Sequence, residues 1–292
     1  MSRYRTSARL SAVAVESGVA STLGEVCLEA LRAPAGTTLA LRPLDPAALA
    51  TRAPKLLTSG ETLDFRTLVP QPGGLFDYKV FGPGTVIDAP ALALDAPARL
   101  PKTRFARLAL AAPLVHPLAL VHAPARVAAL AGWPADDVRA VWAGGSRLDE
   151  LAAAVDPALV LRELPVLPPD LRPLLRLDDD RWRISPINEL YRHVVRRNHR
   201  LGKAIEGGGP AELVAAELHG LADAVLHLFE NEDCAEPLHD VHGDLLVSLR
   251  GLAGGALFET LADPAHADPP TGGWYRATSV LGALGFEPDD RA

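Results

Sequence analysis

Apolar residues recur with helical spacing in two segments of the chain. Between residues 187 and 205 they follow steps of four and three residues, with Asn198 as one polar member, and the same steps run over 214–228. Such steps place side chains on one face of a helix. Because the glycine-rich turn 207–210 joins the two segments, the pattern predicts an antiparallel coiled-coil hairpin over residues 185–231.

A proline-rich stretch comes before this hairpin. LPVLPPDLRPL, residues 164–174, holds four prolines in eleven residues. Proline fixes φ and removes a backbone donor, so the stretch can form neither a regular helix nor a central strand. Ser185 followed by Pro186 is a favourable helix start, because serine caps helices and proline suits the first helical position. We therefore expect a stiff, extended connection that leads into the hairpin.

The pattern upstream is mixed and weaker. It predicts a short strand and a turn in 39–50, a strand at 63–67, a loop at 70–74 and a second strand in 75–81. Further on it predicts a strand over 105–112. It then predicts a helix over 123–131, a short helix that begins at residue 133, and a helix over 148–155. The prediction is an α+β fold. Its regions are 1–38 of uncertain structure, a base of short strands and helices at 39–184, the hairpin at 185–231, and a loop-rich end at 232–292.

Charge is distributed unevenly along the chain. The net charge is −7, from 29 Lys and Arg against 36 Asp and Glu. Residues 176–203 nevertheless carry eight basic and four acidic side chains, a local +4. A protein whose whole surface followed nucleic acid would normally be basic, so autonomous DNA binding is not expected. An anionic partner, if there is one, should contact this segment.

Basic residues form a stripe on the first predicted helix. Arg192, Arg196, Arg200 and Lys203 follow steps of four, four and three, and Arg197 lies beside them. Such a stripe is often only the solvated face of a surface helix. Arginine also makes planar, bidentate contacts with carboxylates and phosphates, which suits a docking face. In the same way, Asn198 could fix the helix register or be a tolerated polar residue.

Candidate metal and catalytic chemistry is sparse. Cys27 and Cys234 are the only cysteines, too few for a disulfide scaffold or a four-cysteine zinc site, and they fit a reducing cytosol. Cys234, His239 and His242 could share a metal ion, although a polar loop explains them better. No nucleophile motif, phosphate-binding loop or dinucleotide fingerprint occurs, so we predict no catalytic residue. No apolar run of about 18 residues occurs either, so we expect a soluble cytoplasmic protein without an anchor.

The stretch LPVLPPDLRPLLRLDDDRWRISPINELYRHVVRRNHRL resembles the clamp region of the bacterial RNA polymerase beta-prime subunit. There a proline-rich segment leads into a lid loop and then into two clamp helices that dock the sigma factor. The resemblance continues through EGGGPAELVAAELHGLADAVLHLFEN, and ETLDFRTLVPQPGGLFDYKVFGP is similar to the zipper segment of that family. It covers about residues 39–255, with deletions.

The resemblance implies a clamp-like base from which the hairpin protrudes, with a zipper-like segment at 59–83 and a lid-like segment at 175–185. It also implies a docking face for a sigma-like factor. Its members are Arg192, Arg197, Asn198, Arg200 and Glu217 at matching positions, joined by Arg196 and Lys203 on the same helix. Four further cations would lie near nucleic acid, within an assembly: Arg66, Lys79, Arg181 and Arg183.

The departures from the family pattern matter as much. No cysteine stands after Phe81, where the zinc module should be, and the aspartate-rich loop that holds the catalytic magnesium is absent. Asp178, Asp179 and Asp180 are contiguous and are interpreted as solvated charge. We therefore expect no metal cofactor. The second helix has also lost polar or basic residues, for example at Ala215 and Ala216, which puts docking of an ordinary sigma factor in question.

Three hypotheses follow. The first is a transcription-related, non-catalytic clamp-like module that binds a sigma-like factor or another polymerase subunit. The second is one piece of a split DNA-directed RNA polymerase, which would need another chain to supply the magnesium loop. The third is a structural remnant that associates with itself through the hairpin. Whether the protein belongs to an active enzyme therefore stays open at this point.

Overall fold

The computed structural model describes residues 41–43, 46–64, 66–67, 69–81, 105–144, 146–169, 172, 174–176, 182–254 and 286–288. These segments contain runs of helices and small antiparallel sheets, which agrees with the predicted α+β class. The helices are α1 Pro46–Arg52, α2 Tyr78–Phe81, α3 Pro117–His122, α4 Pro124–Ala131, α5 Ala135–Gly144, α6 Leu148–Ala154, α7 Ile187–Glu206, α8 Ala211–Glu230 and α9 Leu249–Gly254. Among the described residues, none of these helices is both long and apolar enough to cross a membrane.

The strands pair in twos, and every pair is antiparallel. They are β1 Leu41–Pro43, β2 Leu63–Asp64, β3 Val69–Pro70, β4 Ala106–Val115, β5 Val160–Val166, β6 Leu174–Arg176, β7 Trp182–Ile184 and β8 Phe286–Pro288. The pairs are β1 with β8, β2 with β3, β4 with β5, and β6 with β7. The proline-rich stretch begins as the end of β5, where Pro165 is tolerated because a two-stranded sheet has only edge strands.

One predicted strand is wrong. Residues 75–81 do not form a strand; they make a turn followed by α2. The cause is Asp77, whose buried carboxylate accepts hydrogen bonds from the backbone N–H groups of Gly73 at 2.6 Å and Lys79 at 2.8 Å. An aspartate that binds free backbone donors in this way starts a helical turn instead of a strand. The turn predicted to end at Pro46 likewise continues as α1, with proline in its first position.

The two long helices, α7 and α8, belong to the same hydrophobic core as the sheet of β4 and β5. Helix α7 packs on β4, and α8 packs on α3, α6 and α9. The buried face of α7 is wider than a two-position seam, because Leu190 and Val195 are buried as well as Tyr191 and Val194. This width is typical of a helix in a globular core.

Only the end of the helix pair near the connecting turn is largely exposed. Leu201 and Leu218 are buried, at 0% and 3% exposure, whereas Ile205 and Leu213 are 43% and 47% exposed. The turn itself contains Gly208 with φ of 63°, a conformation that glycine adopts without strain. The described structure therefore shows a stem held in the core and a short exposed tip.

Candidate functional site

The predicted docking residues of α7 fall into an outer and an inner set. Arg196, His199, Arg200 and Lys203 are exposed along one side of the helix, and we call these four residues the ridge. Arg192 lies nearer the N-terminus of the helix, and its side chain is mostly buried. Its guanidinium contacts Glu189 at 2.9 Å and the carbonyl oxygen of Gly60 at 3.4 Å. The ridge thus contains three residues of the predicted face that a partner could reach, together with His199, which the sequence analysis did not single out.

Glu217 of α8 joins the two helices. Its Oε1 accepts from Nη2 of Arg200 at 2.8 Å, and its Oε2 lies 3.9 Å from Nη1 of Arg197. The Glu217 side chain is only 11% exposed, whereas that of Arg200 is 62% exposed. Gly220 leaves the space that Arg197 occupies, since a Cβ at this position would lie 3.1 Å from Nη1 of Arg197. We name Arg197, Arg200 and Glu217 the clasp.

The clasp gives a testable expectation for stability. Replacing Glu217 with glutamine removes the charge that both arginines face, and we expect the free energy of unfolding to fall by about 1 kcal/mol. Urea denaturation followed by circular dichroism would measure the loss. Glu212→Gln, on the exposed first turn of the same helix, is the matched control. Equal unfolding midpoints for both variants would show that the clasp does not hold the hairpin together.

Asn198 faces the sheet rather than a partner. Its Oδ1 accepts from the backbone N–H of Ala111 at 2.8 Å, and its Nδ2 donates to the carbonyl oxygen of Ala109 at 2.9 Å. These two groups lie where the register between β4 and β5 shifts. The geometry differs from both alternatives that the sequence left open, because the amide joins α7 to β4 and does not act between the two helices.

The four candidate cations near nucleic acid are less well defined. Arg66 and Lys79 are exposed in the zipper-like segment. Arg183 lies on β7, and Arg181 lies outside the described residues. The strands β6 and β7 form a hairpin that frames the lid-like segment. Proximity of these cations to nucleic acid stays a prediction.

The weak metal hypothesis does not gain support. Cys234, His239 and His242 all lie in the described part of the chain, where no group of three potential ligands is placed to hold an ion. Burial, together with the nearby carboxylate of Glu230, raises the pKa of the Cys234 thiol to about 12. Its Sγ lies 3.6 Å from the carbonyl oxygen of Glu230. A protonated thiol in such a setting is a poor metal ligand.

Sequence reasoning missed Arg172, which lies within the proline-rich stretch and is fully buried. Its Nε donates to the carbonyl oxygen of Leu167 at 2.8 Å, and its Nη1 donates to Oδ1 of Asn188 at 2.6 Å. Nη2 donates to the carbonyl oxygen of Leu75. The guanidinium also lies over three aromatic rings, with its Cζ 4.9 Å from Phe81, 5.2 Å from Phe76 and 5.7 Å from Tyr191. A lone arginine in an apolar, proline-rich stretch was the available signal.

This contact network ties three parts of the chain together. Leu75 and Phe76 come from the zipper-like segment, Leu167 from the proline-rich stretch, and Asn188 and Tyr191 from the start of α7. Burial lowers the pKa of Arg172 from 12.5 to about 9 and raises that of Tyr191 to about 12. At neutral pH the guanidinium therefore keeps its charge and the phenol keeps its proton. The network fixes the base of the helix that carries the ridge.

Comparison with known proteins places this region in a recognised class. The family described as RNA polymerase Rpb1, domain 1, matches residues 153–250, which include the proline-rich stretch, α7 and α8. The match covers about a third of the chain, so the resemblance predicted upstream of residue 153 stays an expectation.

Individual relatives agree with this class. DNA-directed RNA polymerase subunit beta' of Mycoplasma capricolum is 41% identical over 97 residues, which are 33% of this chain and 8% of the relative. The subunit of Bifidobacterium adolescentis is 41% identical over 98 residues, 34% of this chain and 7% of the relative. That of Streptococcus thermophilus is 45% identical over 80 residues, 27% and 7% respectively. The chain thus contains, around residues 153–250, a region that is similar to the N-terminal region of the beta-prime subunit. The matched part spans less than a tenth of the length of those relatives.

Proposed function

We propose that this chain is a transcription-related, non-catalytic module that resembles the beta-prime clamp and binds a sigma-like factor or another polymerase subunit. The observation that carries the proposal is the coincidence of the family match with the exposed ridge. Residues 153–250 match the family, and within them Arg196, His199, Arg200 and Lys203 are exposed on one side of α7. Such a role would be carried out in the cytoplasm.

The chemistry of the ridge favours an acidic protein partner. Arg196 and Lys203 make no ion pair among the described residues, so their charges are available to an incoming carboxylate. Ile205 and Leu213 add exposed apolar surface at the tip of the hairpin. An amphipathic segment with carboxylates along one side would match both features. With its net charge of −7, the chain is less suited to hold nucleic acid by itself.

The structure changes which residues should be tested. Arg197 and Glu217 lie in the clasp, and the amide of Asn198 is bonded to β4. Their replacement would disturb the hairpin itself, so any loss of binding would be ambiguous. Arg196 and Lys203 are the informative positions, because their side chains are exposed and on the same side of α7.

Binding of the purified chain to each sigma factor and to the core polymerase of its host is the direct test. We expect the variant with Arg196→Glu and Lys203→Glu together to bind at least about tenfold more weakly, because two contacts become repulsive. Biolayer interferometry at low and moderate salt would measure this loss. Arg139→Glu is the control, since Arg139 is an exposed arginine on α5 that pairs locally with Asp136 at 2.7 Å.

The outcomes separate the hypotheses. Binding to a sigma factor or a polymerase subunit that the ridge variant loses would support the proposal. No binding to any of them would overturn it. Isolation from the host of a stable complex with a chain that carries the magnesium loop would instead favour a split polymerase. A stable dimer in sedimentation, without any polymerase subunit in pull-downs, would favour self-association.

A further inference from the structure

His227 lies at the base of the hairpin with both ring nitrogens facing carbonyl oxygens. Its Nδ1 is 2.8 Å from the carbonyl oxygen of Asp223, and its Nε2 is 3.1 Å from the carbonyl oxygen of Glu236. A carbonyl oxygen can only accept a hydrogen bond, so each nitrogen must carry a proton to make its bond. Neutral imidazole has one N–H, whereas imidazolium has two. The observed geometry is therefore complete only when His227 is charged.

The hydrogen bond to Glu236 joins the hairpin to the segment that follows it. Glu236 belongs to the segment that leaves α8 through the short turn Asn231–Asp233. The same segment is also held by Asn231, whose Oδ1 accepts from the N–H of Leu238 at 2.8 Å and whose Nδ2 donates to the Leu238 carbonyl oxygen at 2.9 Å. The amide of Asn231 does not titrate at ordinary pH, but an imidazole does. The segment 234–238 is thus held by contacts that do not titrate at ordinary pH, among them those of Asn231, and by one contact that depends on a proton.

A carboxylate and a second histidine lie close to His227. The carboxylate of Asp223 lies 3.5 Å from its Nδ1. His193, on α7, has a pKa lowered by burial first, and then by the charges of Arg197 and His227. His193 therefore takes up a proton less readily than an ordinary histidine does.

Other charged groups lie on the elements around this pair. Arg196 and Arg197 of α7 act on His193. Glu230 of α8 and the turn residues Glu232 and Asp233 act on the thiol of Cys234, in the segment that follows α8. From α3 and α9, His122 and Arg250 contact the carboxylate of Glu230.

We propose that His227 is a protonation-dependent latch that holds segment 234–238 on the stem of the hairpin. In the protonated state the ring bridges the carbonyl groups of Asp223 and Glu236. When pH rises and the ring loses a proton, one ring nitrogen presents a lone pair to a carbonyl oxygen. Nδ1 faces both the carbonyl oxygen and the carboxylate of Asp223, so Nδ1 keeps its proton and the hydrogen bond from Nε2 to Glu236 is lost. The segment then has one attachment to α8 fewer and opens more often. The latch lies close to His193, in the N-terminal half of the helix that carries the ridge.

Nuclear magnetic resonance of the histidine rings is the first test. In the whole chain, labelled with ¹⁵N, His227 should show two protonated ring nitrogens at about pH 6 and should lose one as pH rises. Hydrogen exchange of the Cys234 and Leu238 amides, which flank Glu236, should lose about tenfold in protection, relative to intrinsic rates, over the same transition. A His227 ring with a single proton throughout this range would overturn the proposal.

Variants distinguish a latch from general loosening. In His227→Gln the protection of these two amides should be low and should no longer follow pH. His242→Gln, an exposed histidine of the same loop, should keep the wild-type pH dependence. Asp223→Asn removes the carboxylate near the ring but keeps the backbone carbonyl oxygen that Nδ1 contacts, and it should keep a pH-dependent protection. Persistence of the pH dependence in His227→Gln would contradict the latch. None of these outcomes depends on whether the ridge binds a partner.

Discussion

Replacing Arg172 with alanine is expected to lower the free energy of unfolding by about 3–5 kcal/mol. The side chain is 0% exposed, and its guanidinium donates to the carbonyl oxygens of Leu75 and Leu167 and to Oδ1 of Asn188. Alanine would leave these three acceptors without their donor in a buried site, and it would open a cavity under three aromatic rings. Domains typically have only about 5–15 kcal/mol of stability, so much of it would be lost.

Urea denaturation monitored by far-ultraviolet circular dichroism would measure this effect. Arg139→Ala is the matched control, because this arginine is exposed on α5 and pairs with the exposed Asp136; we expect it to cost less than about 1 kcal/mol. If Arg172→Ala does not fold, Arg172→Lys gives a second measurement. Lysine keeps the charge but lacks the planar fork, so an intermediate loss is expected. A loss of stability equal to that of the control would mean that the network does not hold the base of the hairpin.

Asn198→Leu is expected to cost about 2–4 kcal/mol, the second largest effect. Leucine fits the apolar spacing of α7, so a description of Asn198 as a tolerated polar residue predicts a gain in stability. The structure predicts a loss, because the amide is the hydrogen-bond partner of the Ala111 N–H and the Ala109 carbonyl group. Both groups lie in the stretch of β4 where the pairing with β5 is interrupted. Leucine would leave both groups without this partner, under a helix that covers them from one side.

The same denaturation experiment tests Asn198→Leu, with hydrogen exchange at Ala111 as a local readout. His199→Leu is the control, since it makes a similar change at the next, exposed position of the helix. We expect the Ala111 amide to exchange faster in Asn198→Leu and to be unchanged in His199→Leu. Stability equal to or greater than that of the wild type would show that Asn198 has no role in joining α7 to the sheet.

The two predictions concern residues that are not equally conspicuous in the sequence. Asn198 stood out because it interrupts a regular apolar series, and so its polarity was noticed. Arg172 is inconspicuous because it lies in a stretch whose pattern is dominated by prolines. In both cases the partners are distant in sequence: Leu75 is 97 residues from Arg172, and Ala111 is 87 residues from Asn198. Local patterns carry no information on contacts of that range.

For the predicted docking residues as well, local spacing gives the helix face but not the contacts. Helical spacing placed Arg192, Arg196, Arg200 and Lys203 on one stripe, and the described helix α7 agrees with that placement. Spacing could not show that Arg192 contacts Glu189 and the segment around Gly60, or that Arg200 reaches Glu217 on the other helix. The accessible part of the stripe is therefore smaller than its sequence suggests.

The sequence by itself determined the two long helices and the glycine turn between them, because helical periodicity and turn residues are local properties. It also determined the resemblance of the region around them to the beta-prime subunit. Only the tertiary structure decided which polar residues are exposed and which hold the fold together. The reason is that burial and hydrogen-bond partners depend on elements that meet in space from distant parts of the chain. Arg172, Asn198, Glu217 and His227 acquire their roles in that way.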